Sequence, residues 1–82
     1  MTKYLSGKVI LITGATGSFG SNCVKYLLKN YSPKKIIVFS RDELKQSELQ
    51  NEIRSKKVRF FIGDIRDRYR LSMAMSNVDI VI

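Results

Sequence analysis

Short apolar runs alternate with longer amphipathic segments along this chain of 82 residues. Runs that are apolar at nearly every position are typical of strands covered on both faces, as in a parallel sheet. The predicted strands are about Lys8–Thr13, Lys35–Phe39, Val58–Ile62 and a last one that begins at Val78.

The segments between these runs predict three helices. The first is Ser18–Asn30, whose apolar residues fall at helical spacing. The second opens on Ser40 and Glu43, which have the spacing of a capping box, and extends to about Arg54. Its apolar face consists of Leu44, Leu49 and Ile53. The third helix is short, with Asp67 as its predicted N-cap.

The order strand-helix-strand-helix-strand-helix-strand predicts an α/β fold. Right-handed crossovers lead to a parallel sheet of the Rossmann type, with strand order 3-2-1-4 and helices on both faces. The sequence stops inside its fourth predicted strand. We therefore expect residues 1–82 to be the N-terminal part of a larger domain of the Rossmann type.

Composition narrows the possible functions. The net charge is +8, and the first 41 residues hold seven basic residues and no acidic one, which suits an anionic ligand. Aromatic residues do not form a base-stacking platform, so nucleic-acid binding is the weaker interpretation. Histidine is absent and Cys23 is the single cysteine, so we expect no metal site. No apolar run approaches the roughly 20 residues of a membrane span.

The turn after the first strand is rich in glycine. Gly14, Gly17 and Gly20 are spaced G-x-x-G-x-x-G between a buried strand and a helix. Gly14 can turn the chain off the strand, Gly17 lets a phosphate approach the backbone, and Gly20 lets the helix pack close to the sheet. The amides at the start of the helix would face the phosphates. This order of elements predicts a dinucleotide pyrophosphate site.

The end of the second strand selects between the two nicotinamide cofactors. Ser40 can donate a hydrogen bond, Arg41 can bind a phosphate through two N–H groups, and Lys45 adds a second positive charge. These residues favour NADP over NAD. Asp42 and Glu43 keep the other interpretation open, because either carboxylate could accept from a ribose hydroxyl.

The turn after the third strand carries Asp64 and Ile65. The Asp64 carboxylate can accept from the adenine amino group. The Ile65 N–H can complete recognition of the adenine edge while its side chain packs on the ring. As the third element of a βαβαβ site, these two residues predict the adenine contacts.

Together the three segments resemble the extended short-chain dehydrogenase/reductases. The stretches T-G-A-T-G-S-F-G, I-I-V-F-S-R-D-E-L-K-Q-S-E and R-F-F-I-G-D-I-R-D-R-Y-R-L are similar to one subfamily, the inverting UDP-N-acetylglucosamine 4,6-dehydratases of the CapD-like polysaccharide-biosynthesis group. The resemblance covers essentially the whole chain. It assigns the pyrophosphate loop to Thr16, Gly17, Ser18 and Phe19; the adenosine-phosphate segment to Ser40, Arg41, Asp42, Glu43, Leu44 and Lys45; and the adenine contacts to Asp64 and Ile65.

The resemblance also implies the chemistry. Family members use NADP as a hydride relay: C4 of the sugar is oxidised, water leaves across C5 and C6, hydride returns to C6, and C5 is inverted. It further implies a UDP-sugar substrate, a homo-oligomer, a cytoplasmic location and a role in surface-polysaccharide or pseudaminic-acid biosynthesis.

The residues that carry this chemistry in the family lie beyond the fourth strand, in a Y-x-x-x-K motif and further Asp and Lys residues. We therefore expect no catalytic residue in the 82 residues, which would form a cofactor half-site. Two other functions fit the same segments: a related sugar-nucleotide epimerase or reductase, and a non-catalytic NADP-sensing module.

Overall fold

The computed structural model describes residues 6–14 and 17–82. Four strands alternate with three helices in these ranges, as predicted. The strands are β1 (Val9–Thr13), β2 (Lys35–Ser40), β3 (Val58–Ile62) and β4 (Ile80–Val81); the helices are α1 (Ser18–Asn30), α2 (Glu43–Ile53) and α3 (Arg68–Ala74). No helix in the described ranges is both long and apolar enough to cross a bilayer.

The strands form one parallel sheet in the order β3-β2-β1-β4, which confirms the predicted topology. Strands β1 and β2 pair over five residues, from Val9 opposite Lys35 to Thr13 opposite Phe39. Pairing of β2 with β3 ends with Ser40 opposite Ile62. Three strands therefore end at nearly the same level, and the loops that follow them lie side by side.

Helices cover both faces of the sheet, as expected for a parallel sheet. On one face, α1 and α2 pack against alternate residues of β1 and β2, with a buried core of Ile10, Ile12, Val24, Leu27, Ile36, Val38, Leu49 and Val58. On the other face, α3 packs its buried Ala74 against Leu11 and Phe39. The alternation along β1 explains why its residues are apolar without interruption.

The last strand is shorter than predicted. Val78 lies outside β4, because the chain turns at Asn77, which has a φ of 63°. Asp79, just before β4, binds the first residue of β1 through both its backbone and its side chain. Its N–H donates to the Val9 carbonyl, and its Oδ2 accepts from the Val9 N–H at 2.8 Å. Ile80 and Val81 pair in register with β1. Ile82 continues the contact, because its N–H donates to the Leu11 carbonyl at 2.8 Å and its carbonyl accepts from the Thr13 N–H at 3.2 Å.

The apolar face predicted for α2 is wrong at Leu44, which is 70% exposed. The position that faces the core is instead Gln46, which is buried together with Leu49 three residues later. The polar Gln46 can occupy this buried position because its side-chain amide donates hydrogen bonds to the backbone carbonyls of Ser40 and Phe61.

Candidate functional site

An open cleft of about 540 Å³ lies outside the carboxyl ends of β1, β2 and β3. This edge is where ligands bind in open parallel α/β sheets. Three loops contribute to the cleft. Its lining residues are Thr13, Gly14, Phe39, Ser40, Arg41, Asp42, Asp64, Ile65 and Arg66. Six of the residues predicted from sequence are thus brought together here: Gly14, Ser40, Arg41, Asp42, Asp64 and Ile65.

The glycine turn leaves β1 through a backbone conformation that favours glycine. Gly14 has a φ of +66°, and its N–H donates to the Phe39 carbonyl of β2 at 3.2 Å. Gly17 is the N-cap of α1, and Gly20 is buried in the first helical turn. Gly17 has no side chain that could bind the leading amides of α1, and amides at a helix N-terminus are suited to binding an anion.

The remaining residues predicted for the pyrophosphate loop are Thr16, Ser18 and Phe19. Ser18 and Phe19 are the first two residues of α1. Thr16 lies outside the described residues. The role assigned to these three residues stays a prediction.

The capping box predicted for Ser40 and Glu43 is wrong. Strand β2 continues through Ser40, so α2 begins three residues later with Asp42 as its N-cap. The Asp42 carboxylate accepts from the Lys45 N–H at 3.0 Å, and Ser40 Oγ accepts from the Asp42 N–H at 3.1 Å. The two side chains therefore shape the bend between β2 and α2, with Arg41 between them.

The first turn of α2 holds the other residues predicted for the adenosine phosphate. Glu43, Leu44 and Lys45 all lie in this turn and are exposed, but none is among the residues lining the cleft. Their predicted part in cofactor binding remains a prediction.

Two arginines converge on the Asp64 carboxylate. Arg66 donates from Nη2 to Oδ2 at 2.8 Å and from its backbone N–H to Oδ1 at 2.9 Å. Arg41, which follows β2, donates from Nη1 to the same Oδ2 at 3.3 Å. Hydrogen bonds from Arg66, with the positive charges of Arg66 and Arg41, hold the pKa of Asp64 far below its usual range. Asp64 in turn raises the pKa of Arg66.

Gln46 ties the ends of β2 and β3 together from below the cleft. Its buried amide nitrogen donates to the carbonyl of Ser40 and to the carbonyl of Phe61, each at 3.1 Å. The Ser40 carbonyl also accepts from the Gly63 N–H at 2.9 Å. These bonds set the spacing of the two loops that carry Arg41 and Asp64.

Aromatic packing supports the same strand ends from the opposite face. Phe39 and Phe61 stack with ring centroids 5.7 Å apart, and the Arg70 guanidinium lies 4.5 Å from the Phe61 centroid. Arg70 also donates to the carbonyl of Ile62 at the end of β3. The floor of the cleft is therefore closely packed.

Sequence reasoning missed Gln46 and Arg66. For Gln46 a signal exists, because it precedes the apolar Leu49 by three residues and so shares its helix face. For Arg66 the signal is weak: an Asp two residues earlier favours a side-chain-to-backbone turn, but it does not show which way the guanidinium points.

The Y-x-x-x-K spacing expected only beyond this chain does occur in it, at Tyr4 with Lys8 and at Tyr31 with Lys35. Tyr4 lies outside the described residues. Tyr31 and Lys35 lie at the amino end of β2, the edge of the sheet opposite the cleft, and Tyr31 packs against the core. This second match is therefore a coincidence of spacing, and we assign no catalytic role to it.

Curated relatives match nearly the whole chain. It is 60% identical over 77 residues to the UDP-N-acetylglucosamine 4,6-dehydratase (inverting) of Campylobacter jejuni strain 81-176, covering 94% of this chain and 23% of that protein. It is 43% identical over 77 residues to a UDP-glucose 4-epimerase of Rickettsia bellii, covering 90% of this chain and 23% of the epimerase. The chain thus spans about a quarter of the length of these relatives.

Solved structures share the fold. Pen from Bacillus thuringiensis superposes with a TM-score of 0.88 at 42% identity, over 95% of this chain and 24% of that one. The dTDP-glucose 4,6-dehydratase of Bacillus anthracis, solved in complex with NAD, gives a TM-score of 0.78 at 27% identity, over 90% of this chain and 25% of that one.

The family profile described as polysaccharide biosynthesis protein matches residues 10–82. That range contains nearly all of the four strands, the glycine turn and both arginines of the cleft. With this match over most of its length, the chain belongs to the polysaccharide biosynthesis protein family.

Proposed function

We propose that the chain is the N-terminal, cofactor-binding part of a Rossmann domain in a sugar-nucleotide 4,6-dehydratase that acts on UDP-N-acetylglucosamine. The observation that carries the proposal is the cleft, where Gly14, Arg41 and Asp64 from three strand ends meet. The identity of 60% to the Campylobacter dehydratase supports the choice of reaction. A UDP-sugar substrate, a cytoplasmic homo-oligomer and a role in surface-polysaccharide or pseudaminic-acid biosynthesis belong to the same proposal.

The residues of the cleft fit a nicotinamide dinucleotide. The backbone at Gly14 and the start of α1 would take the pyrophosphate. Ile65 is 60% exposed in the cleft wall and offers an apolar surface for the adenine ring. When bound, the cofactor supplies the hydride carrier of the reaction. This chain orients it; the groups that move protons on the sugar belong to the rest of the protein.

We propose NADP as the preferred cofactor. Arg41 directly follows β2, the strand end that recognises the adenosine ribose in this fold. Its side chain is 73% exposed, and among residues 6–14 and 17–82 it donates one hydrogen bond, to Asp64. A guanidinium has five N–H donors, so Arg41 keeps donors for a 2′-phosphate. Asp42 is less suited to a ribose hydroxyl, because one of its oxygens caps α2.

The test is a comparison of NADP and NAD affinity in the wild type and in Arg41→Ala. We expect the variant to lose about tenfold in NADP affinity, the equivalent of about 1.4 kcal/mol, with little change for NAD. Arg59→Ala is the matched control, since this exposed arginine lies in β3 away from the cleft. An unchanged ratio of the two affinities in Arg41→Ala would refute the preference for NADP.

A UDP-glucose 4-epimerase is the second candidate, and the 43% identity to the Rickettsia enzyme favours it. The two reactions share oxidation at C4 and differ in the loss of water. Mass spectrometry of the product from the full-length protein separates them: a dehydratase product is lighter than its substrate by one water, whereas an epimerase product has the same mass.

A further inference from the structure

Two guanidinium groups from different loops meet at a single oxygen atom. Asp64 Oδ2 accepts from Arg41 Nη1 at 3.3 Å and from Arg66 Nη2 at 2.8 Å. Arg41 follows β2, and Arg66 lies in the loop after β3, so the contact spans two neighbouring strand ends. All three residues line the cleft.

The arrangement leaves both cations directed at solvent. The side chains of Arg41 and Arg66 are 73% and 79% exposed, whereas that of Asp64 is 29% exposed. One carboxylate neutralises one of the two positive charges, so the cluster keeps a net charge of +1. Pairs of guanidinium groups bind phosphate monoesters through charge-assisted hydrogen bonds.

We propose that Arg66 joins Arg41 in binding the 2′-phosphate of NADP and that Asp64 is a positioning residue that holds the two guanidinium groups together. This inference rests on the proposed preference for NADP and adds a second specificity-determining residue to it. Arg66 lies outside the segment after β2 that the fold uses to choose its cofactor, and it reaches the site from the next strand end.

The role of Asp64 can be tested because the possible roles predict different changes in NADP affinity when its charge is removed. A carboxylate beside a phosphate repels it, so a purely electrostatic account predicts tighter NADP binding when the charge is removed. A positioning role predicts the reverse, because both arginines lose the group that orders them. Contact with adenine predicts an equal loss for NADP and NAD, since the two cofactors share that ring.

The experiment measures NADP and NAD affinities of the protein by calorimetry for the wild type, Arg41→Ala, Arg66→Ala, Arg66→Lys and Asp64→Asn. We expect Arg66→Ala to lower NADP affinity about tenfold and NAD affinity by less than about twofold. Arg66→Lys restores part of the NADP affinity, because lysine keeps the charge but not the planar fork. Asp64→Asn lowers the ratio of NADP to NAD affinity. The control Arg59→Ala leaves both affinities unchanged.

Each contrary outcome has a distinct meaning. If Arg66→Ala leaves the ratio unchanged while Arg41→Ala alters it, the part assigned to Arg66 is wrong and the NADP preference stands. If Asp64→Asn raises the ratio or leaves it unchanged, the positioning role is wrong. If Arg41→Ala also has no effect, the proposed preference itself fails. Arg66 is exposed, and the Asp64→Asn side chain keeps an acceptor for the Arg66 N–H, so both substitutions are compatible with folding.

Discussion

Gly63 shows how closely a single residue beneath the cleft is constrained. It follows β3, and its N–H donates to the Ser40 carbonyl at 2.9 Å. A Cβ at this position would lie 2.8 Å from Cζ and 3.1 Å from Cε2 of Phe39, a ring that is fully buried. The close approach of backbone to ring therefore requires glycine here for steric reasons.

We predict that Gly63→Ala destabilises the protein by about 1–3 kcal/mol, the usual cost of overpacking a core. The displaced Phe39 ring would also disturb its stacking on Phe61. Urea unfolding followed by circular dichroism measures the effect. Gly17→Ala is the matched control, since within the part of the chain that the structure describes its Cβ would meet only the Gly14 carbonyl oxygen, at 3.7 Å. A loss in Gly63→Ala no larger than in Gly17→Ala would contradict the packing argument.

At the scale of elements, α2 connects the second and third strand ends that carry the site. Its N-cap Asp42 and its buried Gln46 act at the same end of the helix. Gln46 donates to the carbonyl of Ser40 in β2 and to the carbonyl of Phe61 in β3. The helix therefore holds the loops of Arg41 and Asp64 in register as well as covering the sheet.

We predict that Gln46→Met lowers the free energy of unfolding by about 1–3 kcal/mol, because it leaves buried carbonyls with fewer donors. Methionine has a similar volume, so the change tests the hydrogen bonds rather than the packing. The NADP affinity should fall along with the stability, since both loops depend on these bonds. Gln50→Met, on the exposed side of α2, is the control and should change neither quantity. Equal stabilities of the two variants would be evidence against the role of Gln46.

At the scale of the molecule, the sheet places the carboxyl ends of β1, β2 and β3 side by side, and the cleft lies outside them. The cleft residues are suited to binding and orientation. Among the described residues, the site contains two arginines, a carboxylate that both arginines contact, and Gly14, whose backbone turns the chain off β1. Guanidinium groups and turn amides of this kind are suited to binding phosphate groups.

We predict that the 82-residue chain binds NADP but does not turn over UDP-N-acetylglucosamine. The reason is that the resemblance places the acid and base groups of the reaction after the fourth strand. Incubation with substrate and NADP, followed by chromatography for a 4-keto-6-deoxy sugar, checks this. The full-length protein is the positive control. Formation of product by the chain alone would show that it carries a complete active site.

The sequence by itself determined the fold and the general location of the site. Continuous apolar runs, which are typical of buried parallel strands, can be recognised from neighbouring residues alone. Because crossovers between parallel strands are right-handed, few topologies are possible, and the order β3-β2-β1-β4 could be predicted. The glycine turn and the residues after β2 and β3 can be recognised as candidate site residues because each directly follows a predicted strand. These are properties of neighbours along the chain.

Only the tertiary structure decided how these residues act on one another. The sequence does not show that β2 continues through Ser40 and so gives the cap of α2 to Asp42. Nor does it show that Gln46 faces two carbonyls, or that Arg41 and Arg66 share one oxygen of Asp64. Such contacts join residues from different strand ends, and their geometry depends on side-chain packing and register, which local patterns do not encode.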